Sequence, residues 1–150
     1  MTTNATTRAV AQEFLSRLGA RSPEDAVSMI AGEVDFFCAG SDRVPWLRPW
    51  RTRSDMATFF ATMFRHFVPD AAQLAVTSVL VDAGDAVIMG RVSQRLRANG
   101  IAFTIPFALD LTVTDGEITR YHVNEDSLTV ATAVEGGLPK AADGCRPALT

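Results

Sequence analysis

The sequence predicts an α+β fold, with a helix-rich first half followed by a long β-meander that curves into a cup. Two turn signals carry that reading, Asn99-Gly100 and Asp115-Gly116, and each is flanked by long β-prone runs. Asn-Gly and Asp-Gly tolerate the positive φ angles of a type I′ turn, so both are expected to close tight hairpins and set strand register. The runs they join are 86–98, 101–114 and 117–125. Strands of that length need curvature, and a curved sheet beside helices makes a container for a small molecule.

Each element has a local reason. Residues 6–18 read as a helix, with Val10, Phe14 and Leu18 on one stripe. Ser22-Pro23-Glu24-Asp25 is a helix start, with a capping Ser, Pro at the first position and acids in the first turn. Ala26, Val27 and Ile30 extend that helix to Gly32. Residues 33–38 are aromatic and β-branched, so they predict a short buried strand. Residues 40–53 form a loop with two Pro and two Trp. A third helix starts near Ser54-Asp55, carries Met56, Phe59, Phe60, Met63 and Phe67 at helical spacing, and ends at Pro69-Asp70. Residues 74–82 are a strand, 83–85 a turn, and the three long strands follow. Asp126 can cap a last helix over 127–134. Residues 1–135 form the expected domain, and the Gly-, Pro- and Ala-rich stretch 136–150 is the expected flexible tail.

Composition narrows the function. The chain has 150 residues, 47% of them hydrophobic, and a net charge of −3. That size fits one domain with one core. No basic patch of the kind that neutralises phosphates is present, so nucleic acid is not an expected partner. No apolar run approaches about 18 residues, so no membrane span is expected. Met1-Thr2-Thr3-Asn4 lacks a positive segment leading into an apolar one, so the expected location is the cytoplasm, with Cys38 and Cys145 as free thiols. Two His and two Cys lie too far apart for ligand spacing, and no Gly-rich phosphate loop occurs, so neither metal nor cofactor is expected.

The ordered set of elements resembles the nuclear transport factor 2-like superfamily, and within it the SnoaL-like group. The residues that carry the resemblance are 33–38 leading into Val44-Pro45-Trp46, 53–60 opening the third helix, Asn99-Gly100, Pro106-Phe107, and Thr114-Asp115-Gly116-Glu117-Ile118. Tyr121 and Asp126-Ser127-Leu128 close the set, which spans roughly residues 8–134. The resemblance implies a cone-shaped, curved mixed sheet wrapped by three N-terminal helices, a pocket between them, and a homodimer. Its members include ketosteroid isomerases, limonene-epoxide-type hydrolases, polyketide cyclases and proteins without catalysis.

Two of the mechanisms that the resemblance implies lose their acids here. The isomerase base, tyrosine and sheet acid fall on Phe37, Phe14 and Pro106. The epoxide-hydrolase Asp-Arg-Asp set keeps Arg91 and meets Ser93 and Val123 in place of its acids. In the register of the resemblance Tyr121, Val123 and Glu125 point inward. A carboxyl in an apolar pocket has a raised pKa and suits acid–base work, which makes Glu125 the leading catalytic candidate. Asp126, His122 and Arg91 are the assisting candidates. Asp126 has a competing role as a helix cap, and His122 alternates with Tyr121 and so faces away from it. Arg91 faces solvent by plain alternation with Ile88 and Val92, and faces the pocket in the register of the resemblance. Trp46, Trp50, Phe37, Phe60, Met63 and Phe107, with Tyr121 and Val123, are the expected substrate-binding residues. The expected function is a cofactor-free enzyme acting on a hydrophobic polycyclic or polyketide-type molecule by general acid–base catalysis, through cyclisation, isomerisation or epoxide opening. The alternative is a non-catalytic binding protein that kept the pocket and lost the acids.

Overall fold

A computed structural model of the chain describes residues 2–137. Positions 138–150, and with them Cys145 and most of the expected tail, lie outside the described residues. The order is α1 (Asn4–Gly19), α2 (Pro23–Val27), β1 (Ile30–Cys38), α3 (Arg53–His66), a single 3₁₀ turn (Pro69–Ala71), β2 (Gln73–Asp82), β3 (Asp85–Arg95), β4 (Ala102–Thr114), β5 (Glu117–Glu125) and α4 (Ser127–Val134).

The five strands form one mixed sheet in the order β1-β5-β4-β3-β2. β1 runs parallel to β5, with Phe36 opposite Tyr121 and Cys38 opposite Val123, and the other pairs are antiparallel. Register shifts interrupt β1 between Ile30 and Asp35, β2 between Val76 and Ser78, and β5 between Ile118 and Arg120, opposite Thr112 and Val113. Such irregularities bend strands and increase their twist, which lets an open sheet curve around the helices.

The inner face of the sheet is apolar, by two-residue alternation along β3 and β4 and across an extra residue, Thr119, on β5. Ile105, Leu109, Leu111 and Val113 on β4 are buried, as are Ile88 on β3 and Ile118 and Tyr121 on β5. α1 contributes fully buried Ala11 and Phe14, and α3 contributes Met56, Phe59 and Phe60. Tyr121 is the hub of this core. Its ring lies 5.9 Å from that of Phe36 in a stacked arrangement, 5.8 Å from Phe60 edge-on and 6.0 Å from Phe14.

The helix ends explain the element boundaries. A capping box starts α3, with Thr52 accepting from the Asp55 amide while Asp55 accepts from the Thr52 amide. α1 ends in a Schellman turn, in which the Ser22 amide donates to the Arg17 carbonyl and the Arg21 amide to the Leu18 carbonyl. Arg21 occupies the left-handed position of that turn, at φ 55°.

Three expectations need correction. The second helix stops at Val27 rather than reaching Gly32, because Ile30 already pairs with Ile118 in the sheet. β3 stops at Arg95, short of residue 98. Asp115 and Gly116 both take positive φ, as a type I′ turn requires, but at the other hairpin only Gly100 does. That loop is four residues long, closed by the Gly100 amide on the Leu96 carbonyl and by the Leu96 amide on the Ile101 carbonyl. Asn99 turns its side chain to the Ile101 amide and the Ala133 carbonyl instead of supplying a left-handed backbone.

Candidate functional site

A cavity of about 280 Å³ opens between the C-terminal half of α1, α3 and the inner face of β3, β4 and β5. Its walls are aliphatic and aromatic, with Leu15 and Leu18 from α1, Phe60 and Met63 from α3, and Phe107 and Val123 from the sheet. Tyr121 forms part of its floor. A recess of about 30 Å³ continues inward past Met63, Val92, Gln94 and Glu125 to Trp46 and Phe67. Glu125 therefore borders both spaces.

Glu125 sits where β5 runs out, and its alternation with Val123 and Tyr121 turns it inward. It makes no ion pair and no side-chain hydrogen bond among the described residues. Burial in the apolar cup, reinforced by the neighbouring Asp126 charge, pushes its carboxyl from 4.5 up to about 7. Both protonation states are then populated at neutral pH, so this group can accept a proton and return it. Tyr121 and Gln94 are among the further polar residues that line the same space, with Gln73 and Arg21. The Tyr121 hydroxyl is kept neutral by burial, and the Gln94 side chain, like that of Tyr121, makes no hydrogen bond among the described residues.

The other three catalytic candidates lie outside the cavity. Asp126 caps α4, accepting from the Thr129 amide at 3.1 Å and the Thr129 hydroxyl at 2.7 Å, and these bonds hold its carboxyl below the usual range. It acts on Glu125 through its charge. Arg91 is exposed on the outer face of β3, in the row with Ala75 and Pro106. Its neighbours Gly90 and Val92 take the inner positions, so alternation decides the conflict, and an unpaired guanidinium is spared burial. His122 also lies on the outer face, its Nε2 3.0 Å from Asp35 Oδ2 but off the line of a hydrogen bond.

Of the expected binding residues, Phe60, Met63, Phe107, Tyr121 and Val123 line the cavity, and Trp46 lines only the recess. Trp46 is buried against Phe67 and His66, with ring centroids 5.0 Å and 5.5 Å away. Trp50 donates its indole N–H to the Trp46 carbonyl and borders a separate surface cleft with Glu33, Asp35 and Pro49. Phe37 is 49% exposed and packs edge-on against His122, because its neighbours Phe36 and Cys38 take the inward positions of β1.

Sequence reasoning missed Gln94, Arg21 and Cys38. Gln94 lies two residues from inward Val92, a signal that alternation alone supplies. Cys38 lies two residues from inward Phe36, and burial with the Glu125 charge pushes its thiol up to about 12. Arg21 is in the turn after α1, where no periodicity marks it. Among the described residues, no three His, Cys, Asp or Glu side chains converge as a metal site would need.

The SnoaL-like domain family matches residues 11–121. No curated protein sequence matches the chain. Among solved structures, an NTF2-like protein from Burkholderia thailandensis is similar with a TM-score of 0.74 at 16% identity, over 89% of this chain and 97% of that one. TerC, co-crystallised with polyporic acid, is similar with a TM-score of 0.74 at 17% identity, over 87% and 99%. A putative polyketide cyclase from Pseudomonas putida reaches a TM-score of 0.66 at 15% identity, over 83% and 91%. The fold is thus NTF2-like, and the chain belongs to the SnoaL-like domain family.

Proposed function

We propose that this protein is a cofactor-free enzyme that moves a proton on a compact, hydrophobic, polyketide-type molecule, with Glu125 as general acid and base. One observation carries the reading: the cavity presents a carboxyl with a pKa of about 7, beside polar groups of Tyr121 and Gln94 that bind nothing else among the described residues. Retaining such groups in an apolar cup costs stability unless a ligand uses them. The volume lies near the lower end of small-molecule pockets, typically about 300–1,000 Å³, which suits a ligand of few fused rings. The cyclase-named and polyporic-acid-binding neighbours have the same fold and are consistent with that ligand class.

The proposed step needs no oxidant or reductant. Ionised Glu125 takes a proton from a carbon next to a carbonyl, and the C–H electron pair moves into the carbonyl to give an enolate. The Gln94 amide or the Tyr121 hydroxyl donates a hydrogen bond to that oxygen. Protonated Glu125 then returns the proton, either to the far carbon of an enolate conjugated with a carbon–carbon double bond, which shifts that double bond and isomerises the molecule, or to the alkoxide formed when the enolate attacks a second carbonyl and closes a ring. Glu125→Gln keeps the shape and removes the titrating group. Turnover should fall at least about a hundredfold while ligand quenching of Trp46 fluorescence persists. Unchanged turnover would remove Glu125 from the mechanism.

The second reading is a binding protein without catalysis. It is favoured by Phe37, Ser93 and Val123, which stand where the resemblance expects acids, and it requires binding without any product. The outer sheet face exposes Leu80, Met89 and Phe37, so we also propose pairing into a homodimer through that face. A mass near 16 kDa by light scattering at micromolar concentration would contradict that.

A further inference from the structure

One acidic and one basic side chain line the cavity, Glu125 and Arg21. Arg21 makes no ion pair and no side-chain hydrogen bond among the described residues. Its guanidinium lies 4.8 Å from the centroid of the Phe64 ring, and Phe64 lines the same cavity from α3. The ring face attracts the cation, while its N–H donors have no protein partner among the described residues. The backbone there is left-handed, at φ 55°, in a turn position that glycine normally takes. The chain thus holds a half-buried, uncompensated cation against the apolar walls of a small-molecule cavity.

We propose that Arg21 is an anion-binding residue, and that the cavity's ligand carries an anionic oxygen group at the end meeting solvent and an apolar ring body inside. The proposal rests on the reading of this cavity as the small-molecule site. A planar guanidinium edge matches a carboxylate or an ionised ring hydroxyl, and charge-assisted hydrogen bonds of this kind are the strong ones. The two groups form no ion pair with each other, since Arg21 comes from the turn after α1 and Glu125 from the end of β5. They therefore orient the ligand. An anion beside Glu125 would meet a carboxyl in an apolar recess, whereas an anion beside Arg21 meets donors and water. The reactive part of the ligand is directed inward, to Glu125, Gln94 and Tyr121.

The test uses two probes of one shape, 2-naphthoate and 2-naphthamide, titrated calorimetrically into the full chain at pH 7.5. The wild-type protein should bind the naphthoate about tenfold more tightly or better. Arg21→Asn and Arg21→Gly both suit the left-handed backbone. Each should erase that preference while leaving naphthamide affinity unchanged, and Arg21→Lys should keep only part of it. Equal wild-type affinities, or a preference that survives both substitutions, would overturn the anion assignment and leave the cavity reading standing. Failure of both probes to bind would overturn both, and a naphthamide that binds where the naphthoate does not would overturn the anion assignment.

Discussion

Replacing Glu125 with Gln should stabilise the protein above neutral pH and change little in acid. Burial and Asp126 raise the folded-state pKa of Glu125 from 4.5 to about 7, so the folded chain holds this proton more tightly than the unfolded one does. The stability that this gives is fully present below about pH 4.5 and is lost as pH rises through about 7. A shift of that size corresponds to about 3 kcal/mol, and solvent reaching the cavity through its mouth trims it to about 2 kcal/mol. Gln has the shape of the protonated acid and does not ionise. Urea denaturation of both proteins at pH 5, 6, 7 and 8 isolates the effect, since titrating groups that do not feel the Glu125 charge cancel in the difference. The Gln variant should lead by less than about 1 kcal/mol at pH 5 and by about 2 kcal/mol at pH 8. Parallel profiles, or a Gln variant less stable at pH 8, would refute the claim that Glu125 is held in an apolar setting.

Three other outcomes follow from local geometry. Gly90→Ala should cost about 2–4 kcal/mol, read as a lower midpoint of thermal unfolding, because its Cβ would lie 2.1 Å from the Ala75 carbonyl oxygen across the β2 bulge, and backbone cannot yield. Thr7→Val should cost about 1–2 kcal/mol in urea denaturation. The fully buried Thr7 hydroxyl donates to the Ala83 carbonyl at 2.6 Å and fastens the β2–β3 turn, where Ala83 sits at φ 50°. In a Cys145→Ser protein, Cys38 should react with a thiol reagent at pH 8 at least about tenfold more slowly than it does in urea, since its thiol is pushed up to about 12. Equal rates would place Cys38 outside the apolar neighbourhood of Glu125.

The architecture was legible because its signals are local and repeated. Helical spacing marked α1 and α3, β-prone runs bounded by turn dipeptides marked β3, β4 and β5, and the register of the resemblance supplied the inward side of β5. Asp115-Gly116 could be read directly, since both residues take the backbone that the turn demands. Asn99-Gly100 could not, because loop length is set by where Leu96 and Ile101 pair, and a dipeptide does not encode that distance. Ile30 fits helical spacing with Ala26 and Val27 equally well, and only pairing with Ile118 makes it a strand residue. The site was legible where it lies on one strand, as for Tyr121, Val123 and Glu125. At Arg91 plain alternation and the register of the resemblance disagreed, and the sheet follows alternation. Arg21 was invisible, because only the tertiary approach of the α1 turn to Phe64 gives that cation a place in the cavity.

The proposed chemistry depends most directly on the protonation of one carboxyl. Carbon-13 detection of the glutamate side-chain carboxyls across pH 3–10, with Glu125 assigned by the resonance missing from Glu125→Gln, measures it without a substrate. The account expects a midpoint near 7, falling towards the ordinary carboxylate range when Asp126→Asn removes the neighbouring charge. A Glu125 midpoint near 4.5, unmoved by Asp126→Asn, would show a solvated carboxylate and contradict the proposed role of the cavity.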